Sequence, residues 1–278
     1  MKIGGDIPEK WENLEEWIER VKAYNYSTAI CPLGSDASEA DIHFLSRLIT
    51  QNNLTIAEVG IWNNTISPND EERQLATSEA KKRLYLADRI GACCSVNIAG
   101  SRSKVWDGPH RTNFSSETFD MIVEKVREII DEVQPRRTFY TLETMPWIFP
   151  ESADSYLKLI RAIDRSAFAV HFDPVNLLYS PKRYFNHREI IDDFVSRLGA
   201  YIKSCHVKDV VLDHQFPACI REVRPGKGTL DLGMLLICLS RLHGVLPIIM
   251  EHLQSKEEYL LAGAHIRATA KTNRVSIV

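Results

Sequence analysis

Glu143 in "TLETMPW", Asp173 in "VHFDPVN", His206 in "SCHVKDV" and Glu251 in "IIMEHLQ" each put a charged or metal-ligating side chain at the end of an apolar, β-rich run. A carboxylate stripped of its water must be paired, protonated or bound to a cation, because leaving it bare costs several kcal/mol. Three carboxylates and one imidazole form a hard, oxygen-rich donor set with a single nitrogen. Such a set suits Mn²⁺ or Mg²⁺ and could also hold Co²⁺ or Zn²⁺, whereas a structural zinc would draw on more Cys or His.

For these four residues to meet, the chain must bring four strand ends to one place. Their consecutive separations are 30, 33 and 45 residues, each about one strand-plus-helix unit. Eight short strand candidates run through the chain, at 2–7, 27–33, 56–62, 93–99, 138–144, 168–174, 202–209 and 247–253. Amphipathic stretches lie between them. "PEKWENLEEWIERVKAY" spaces Trp11, Leu14, Ile18 and Val21 on one helical face. "SEADIHFLSRLI" opens with Ser38 and Asp41 in capping-box spacing. Further helix patterns start at Ser116, Asp154, Arg188, Leu232 and Lys256. This alternation predicts an α/β protein, a single (β/α)₈ TIM barrel over residues 1–278, with chemistry at the C-terminal strand ends. The alternative, an open doubly wound sheet, usually shows a Gly-rich phosphate turn after its first strand, and "GGDIPEK" has none.

Side-chain parity supports convergence. If Glu143 faces the barrel interior, so does Thr141; the same assignment pairs Asp173 with His171, His206 with Ser204 and Glu251 with Ile249. The outward neighbours Phe172, Cys205 and Met250 are then apolar, as a helix-covered face requires.

Bulk properties narrow the classes. A formal net charge of −3 argues against a protein that grips a phosphate backbone, so no nucleic-acid partner is expected. No apolar run approaches the ~20 residues of a membrane span, and six cysteines without a CxxC pair suit reduced thiols. A cytoplasmic protein with no membrane partner is the expectation.

With these motifs in hand, the sequence resembles the xylose isomerase-like TIM-barrel superfamily, in its short sugar (phosphate) isomerase/epimerase branch. The likeness spans nearly the whole chain and is carried by "LET", "HFDPVN", "CHVKD", "RPGKGTLD" and "IIMEH". It implies a divalent metal, usually Mn²⁺, held by Glu143, Asp173, His206 and Glu251. It also implies proton transfer on a ketose, keto-sugar or sugar phosphate through an enediolate, with Glu143 and Glu251 as the catalytic pair. A keto-sugar or keto-inositol lyase or dehydratase is the alternative on the same fold. Many epimerases of this branch carry a substrate-contacting His three residues after the Asp, where this chain has Asn176, which can donate a hydrogen bond but not shuttle a proton. The abasic-site nuclease branch needs extra histidines from early strands, and "GIWNN" and "NIAGS" supply none. Members are often dimers or tetramers, so a homo-oligomer is a further expectation.

Other residues are candidates for contact with the carbohydrate substrate. Arg224 of the Gly-Lys-Gly turn reaches toward a hydroxyl or phosphate in this reading, and Lys208 shares the inward parity of His206. Asn176 belongs to the same set. Trp106 and His110 lie in "AGSRSKVWDGPHRTNFS", a long polar and aromatic connection that could cover the site. Trp62 and Asn97 close the third and fourth strand candidates, and Asp231 or Thr229 could cap the helix that follows the turn. Asp209 is read as orienting a neighbour, and His43, His187, His214, His243, His252 and His265 receive no role.

Overall fold

A computed structural model describes residues 1–242 and 244–278, and His243 lies outside the described residues. In chain order the elements are β1 (Lys2–Gly5), α1 (Leu14–Ala23), β2 (Thr28–Ile30), α2 (Glu39–Gln51), β3 (Thr55–Gly60), α3 (Asp70–Ile90), β4 (Cys94–Asn97) and α4 (Ser116–Val133). Then follow β5 (Tyr140–Glu143), α5 (Ala153–Ile163), β6 (Phe168–Phe172), α6 (Pro181–Phe185), α7 (His187–Leu198) and β7 (Ile202–His206). A hairpin of β8 (Asp209–Asp213) and β9 (Cys219–Val223) precedes α8 (Leu232–Ser240), β10 (Pro247–Met250) and α9 (Lys256–Thr272).

Eight of the strands pair in parallel in the order β1-β10-β7-β6-β5-β4-β3-β2. The remaining gap between β1 and β2 is bridged where Ser27 N donates to Ile3 O at 3.0 Å, so the sheet forms a nearly closed barrel. The expected eight strand positions and the TIM-barrel architecture both hold. The barrel's eighth strand is β10, because the hairpin is inserted between β7 and α8 and pairs only with itself.

Parity along the strands follows the expected sense. Thr141, His171 and Ser204 are fully buried, and the register pairs Glu143 with His171, His171 with Ser204 and His206 with Ile249. Facing outward, Phe172 stacks on Phe194 of α7 with ring centroids 4.4 Å apart. The helices form where their ends are satisfied. Ser38 caps α2 with a full capping box to Asp41. Asp231, not Thr229, caps α8, its Oδ1 accepting from Met234 N at 2.9 Å.

Three features differ from the sequence reading. Trp11 lies outside α1 and is 36% exposed, because Asn13 caps the helix behind it and the inward aromatic is Trp17, at 2%. The 21-residue α3 has no counterpart among the helix patterns, since four of its seven buried positions are Ala76, Thr77, Ala80 and Ala87, too little contrast for an apolar stripe. The β8–β9 hairpin has no counterpart among the eight strand candidates, the seventh of which ends at residue 209. Its anchor is Asp209, whose carboxylate accepts from Val210 N, Leu230 N, Gly226 N and Gly228 N at 2.8–3.0 Å. A Cβ on Gly228 would approach Asp209 Oδ1 to 2.2 Å, so only glycine fits against that carboxylate.

Candidate metal centre and its cavity

Glu143 closes β5 and His206 closes β7, while Asp173 and Glu251 stand one residue past β6 and β10. Each of the four offers a ligand-type atom, and these atoms lie within 4.8 Å of one another. His206 Nδ1 is 2.8 Å from Glu251 Oε1, 3.4 Å from Glu143 Oε1 and 4.0 Å from Asp173 Oδ2. The four residues selected by sequence therefore meet at one rim.

Local folding fixes how each ligand-type atom is presented. After β6 the chain makes a single 3₁₀ turn, Val175–Leu177, whose opening amides grip Asp173: Oδ1 accepts from Val175 N at 2.9 Å and from Asn176 N at 3.3 Å. That leaves Asp173 Oδ2 aimed inward. Asn176 also donates from Nδ2 to Glu143 Oε1 at 3.0 Å, so it holds a neighbouring carboxylate in place.

Residues absent from the predicted set complete the site. Glu58, mid-β3 and 1% exposed, lies across the barrel with Oε2 3.5 Å from His206 Nε2 and 3.4 Å from His171 Nε2, while Ser204 Oγ donates to its Oε1 at 3.1 Å. A carboxylate behind the far ring nitrogen orients an imidazole ligand. The signal was present, because Glu58 is the single charge in "TIAEVG", as conspicuous as the four residues that were singled out. His252, assigned no role from sequence, faces the cavity. A left-handed backbone at φ 60° turns it back so that Nδ1 meets Glu222 Oε2 at 2.9 Å and Nε2 lies 3.5 Å from Glu251 Oε2. Glu222, brought in by the hairpin, also pairs with Lys208 at 2.9 Å.

The charge balance is acidic. Glu58, Glu143, Asp173 and Glu251 face two cationic groups, His206 and Lys208. Burial pushes the Asp173 carboxyl up to about 7 against the pull of Lys208, with Glu143 and Glu251 adding to the rise. For Glu251, burial is outweighed by His206 and Lys208, and the carboxyl is held well below its ordinary range. Burial likewise opposes protonation of His206, but the carboxylates of Glu251, Glu143 and Glu58 raise it well above the usual imidazole value.

The donor set fits a divalent cation. Asp173 Oδ2 and Glu251 Oε1, both buried, are held by the ammonium of Lys208 at 2.7 and 2.5 Å, and His206 Nδ1 lies 2.8 Å from Glu251 Oε1. The donor atoms thus converge on one point beside an excess of negative charge that a single ammonium offsets only in part. Hard oxygen donors with one imidazole suit Mg²⁺ or Mn²⁺.

A cavity of about 510 Å³ opens over this cluster, lined by Trp62, Trp106, Trp147, Asn176, Lys208 and His252 among others. Of the residues proposed to contact substrate, Trp106, Asn176 and Lys208 line this cavity. His110 and Arg224 do not. His110 Nδ1 bonds Thr112 Oγ1 at 2.9 Å within its own loop, and Arg224 Nε pairs with Glu258 Oε2 of α9 at 2.9 Å, so neither lines the cavity. Asn97 is buried and exchanges hydrogen bonds with Asn63 rather than facing the space. No helix among the described residues is long and apolar enough to cross a membrane.

Comparison with known proteins agrees with this architecture. A family model described as xylose isomerase-like TIM barrel matches residues 12–263. No curated protein matches the chain. Among solved structures, a 3-keto-D-glucoside 4-epimerase, YcjR from E. coli, is similar at 15% identity and a TM-score of 0.71, over 96% of this chain and 99% of that one. A probable 3-DHS dehydratase, AsbF from Bacillus anthracis, is similar at 14% identity and a TM-score of 0.69, over 96% of each chain. A xylose isomerase-like TIM-barrel protein from Mycobacterium smegmatis in complex with magnesium is similar at 14% identity and a TM-score of 0.68, over 94% of this chain and 89% of that one. At such identities the likeness concerns the fold.

Proposed function

The chain belongs to the xylose isomerase-like TIM-barrel family, and on that premise we propose that it is a divalent-metal-dependent isomerase or epimerase of a small carbonyl-bearing carbohydrate. The observation that carries the reading is the convergence of Glu143, Asp173, His206 and Glu251, whose ligand-type atoms lie within 4.8 Å of one another. These four would hold the cation, for which Mn²⁺ or Mg²⁺ is the best match. When bound, the cation polarises the substrate carbonyl and acidifies the adjacent C–H.

The remaining roles fall to side chains. Asn176 engages Glu143 Oε1, which leaves Oε2 to take a proton from the carbon beside the carbonyl. Glu251 Oε2, an ionised carboxylate 3.5 Å from His252 Nε2, relays a proton from that imidazolium to the other side of the carbon. Lys208, almost wholly buried, contributes a fixed positive charge to a site walled by Trp62, Trp106 and Trp147.

A second reading, loss of a β-hydroxyl after the same deprotonation, has one observation in its favour. Asn176 is committed to Glu143 and cannot shuttle a proton, so reprotonation rests on Glu251 alone. The dehydratase neighbour shares this fold.

Solvent exchange tests both readings. Metal-loaded protein in D₂O is offered free, phosphorylated and keto sugars, with Glu251→Gln as control. Deuterium entering the carbon next to the carbonyl, slowed at least about a hundredfold in the variant, supports proton transfer. The product spectrum then separates epimer or isomer from eliminated species. No exchange with metal bound, or no metal bound at all, would overturn the proposal.

A further inference from the structure

The cavity over the carboxylates has a neighbour. A second space of about 820 Å³ adjoins it, and the two share Trp147, Asn176 and Glu222 as common walls. Each volume alone falls in the ~300–1,000 Å³ range of small-molecule sites. From this adjacency we infer that the substrate is a glycoside and not a free monosaccharide, its reacting sugar held over the carboxylates and its aglycone ring held in the outer groove. The inference rests on the proposed proton-transfer reading.

The groove has the chemistry of a ring-binding site. Trp147, Tyr179 and Phe216 present aromatic surface to it, and Gln215 and Arg221 add polar groups at its wall. Aromatic faces bind rings with apolar faces, while a few polar groups select orientation. Two of the aromatics are held rigidly in the absence of any ligand. Trp147 Nε1 donates to Asp107 O at 2.6 Å, and the guanidinium of Arg183 sits over the Tyr179 ring, 4.6 Å from its centroid. Phe216, at the hairpin tip, is fully exposed. Rigid apolar rings kept in water next to a reaction site are costly unless something covers them, and preorganisation favours binding.

The groove is also tied to the chemistry. Glu222 forms part of its wall and at the same time pairs with Lys208 and His252, and Asn176 forms part of its wall while holding Glu143. A substituent seated here would therefore abut the residues that position the proton-transferring groups.

Calorimetric titration of the Mg²⁺-loaded protein with methyl and 4-nitrophenyl glycosides of one keto-sugar tests this. The 4-nitrophenyl compound is expected to bind about tenfold tighter than the methyl compound. That gain is expected to vanish in Tyr179→Ala/Phe216→Ala, two exposed positions whose truncation leaves the core intact, with methyl glycoside affinity unchanged. Equal affinity for both glycosides, or a gain that survives the double variant, overturns the inference. If free keto-sugars exchange deuterium but neither glycoside binds, the aglycone site is refuted and the proton-transfer reading stands. If no keto compound binds or exchanges, both fall together.

Discussion

Lys208 Nζ lies 2.5 Å from Glu251 Oε1, deep in the mouth of the barrel. The same ammonium is 2.7 Å from Asp173 Oδ2, so one lysine touches two of the four oxygen and nitrogen groups proposed to hold a cation. It neutralises them when no metal is bound and competes with a metal for the same oxygens. Lys208→Met should therefore act in opposite directions on the two forms. Without metal the variant should lose about 3 kcal/mol, because two buried acids lose their counter-charge. With metal the stabilisation should exceed that of the wild type. Thermal melts with and without millimolar Mg²⁺ read both effects, and equal metal-induced shifts in the two proteins would contradict this account.

Metal binding should also depend on a residue that never touches the metal. Glu58 stands behind His206 Nε2, on the side away from the candidate ligands. Glu58→Gln keeps the volume and an acceptor for Ser204 but removes the charge that fixes the imidazole. Affinity for Mn²⁺ should fall about 10–100-fold with the fold retained. Competition against a metal-chelating dye, with circular dichroism as the folding control, checks it.

Asp209 is predicted to be structural and not catalytic. Its carboxylate accepts four backbone amides from β8 and from the turn at 226–230. Asp209→Ala should destabilise by about 3 kcal/mol, since several charge-assisted bonds are lost together. Hydrogen exchange at Gly226, Gly228 and Leu230 should accelerate, while amides of the β5 and β6 strands stay protected.

Asp6 supplies a pH-dependent prediction. It lines the cavity, and burial raises its carboxyl above the ordinary 3.8 despite the hydrogen bond it accepts from Tyr259. A raised folded-state value means the folded protein prefers the protonated acid. The stability it contributes is complete below pH 3.8 and is lost as the pH rises through the folded value. Asp6→Asn should thus melt at the same temperature as wild type at the acid end and above it at neutral pH. A melting difference that does not vary with pH would refute this.

The metal-free binding set itself can be tested by subtraction. Mg²⁺ or Mn²⁺ should raise the wild-type melting temperature by mass action on the folded state. Asp173→Asn, isosteric and still able to accept Val175 N, should abolish the rise without unfolding the protein.

How much of this was written in the sequence depends on what each residue had to contrast with. Glu143, Asp173, His206 and Glu251 stood out because each breaks an apolar strand, and strand periodicity alone placed them on one face. Glu58 offered the same contrast but sits mid-strand, below the rim where site residues were sought. His252 was hidden for a different reason: its left-handed backbone reverses the direction that strand parity would assign. Arg224 illustrates the opposite limit. Nothing local distinguishes an arginine that reaches a ligand from one that reaches Glu258, a residue 34 positions away on another element. The buried face of α3 and the hairpin were similarly invisible, the first for lack of hydrophobic contrast and the second because β8 continues the apolar run of β7.

Among the described residues the hairpin pairs with none of the eight barrel strands, yet it delivers Glu222 to the cavity over the candidate metal centre and Phe216 to the far end of the groove. Its tip at 214–218 can change length or composition without moving a barrel strand, while its root is pinned by Asp209. The hairpin tip that bears Phe216 and the strand ends that bear the four candidate ligands are therefore carried on separate pieces of chain. Change at the tip can reshape the outer end of the groove and leave the candidate metal centre and the barrel as they were.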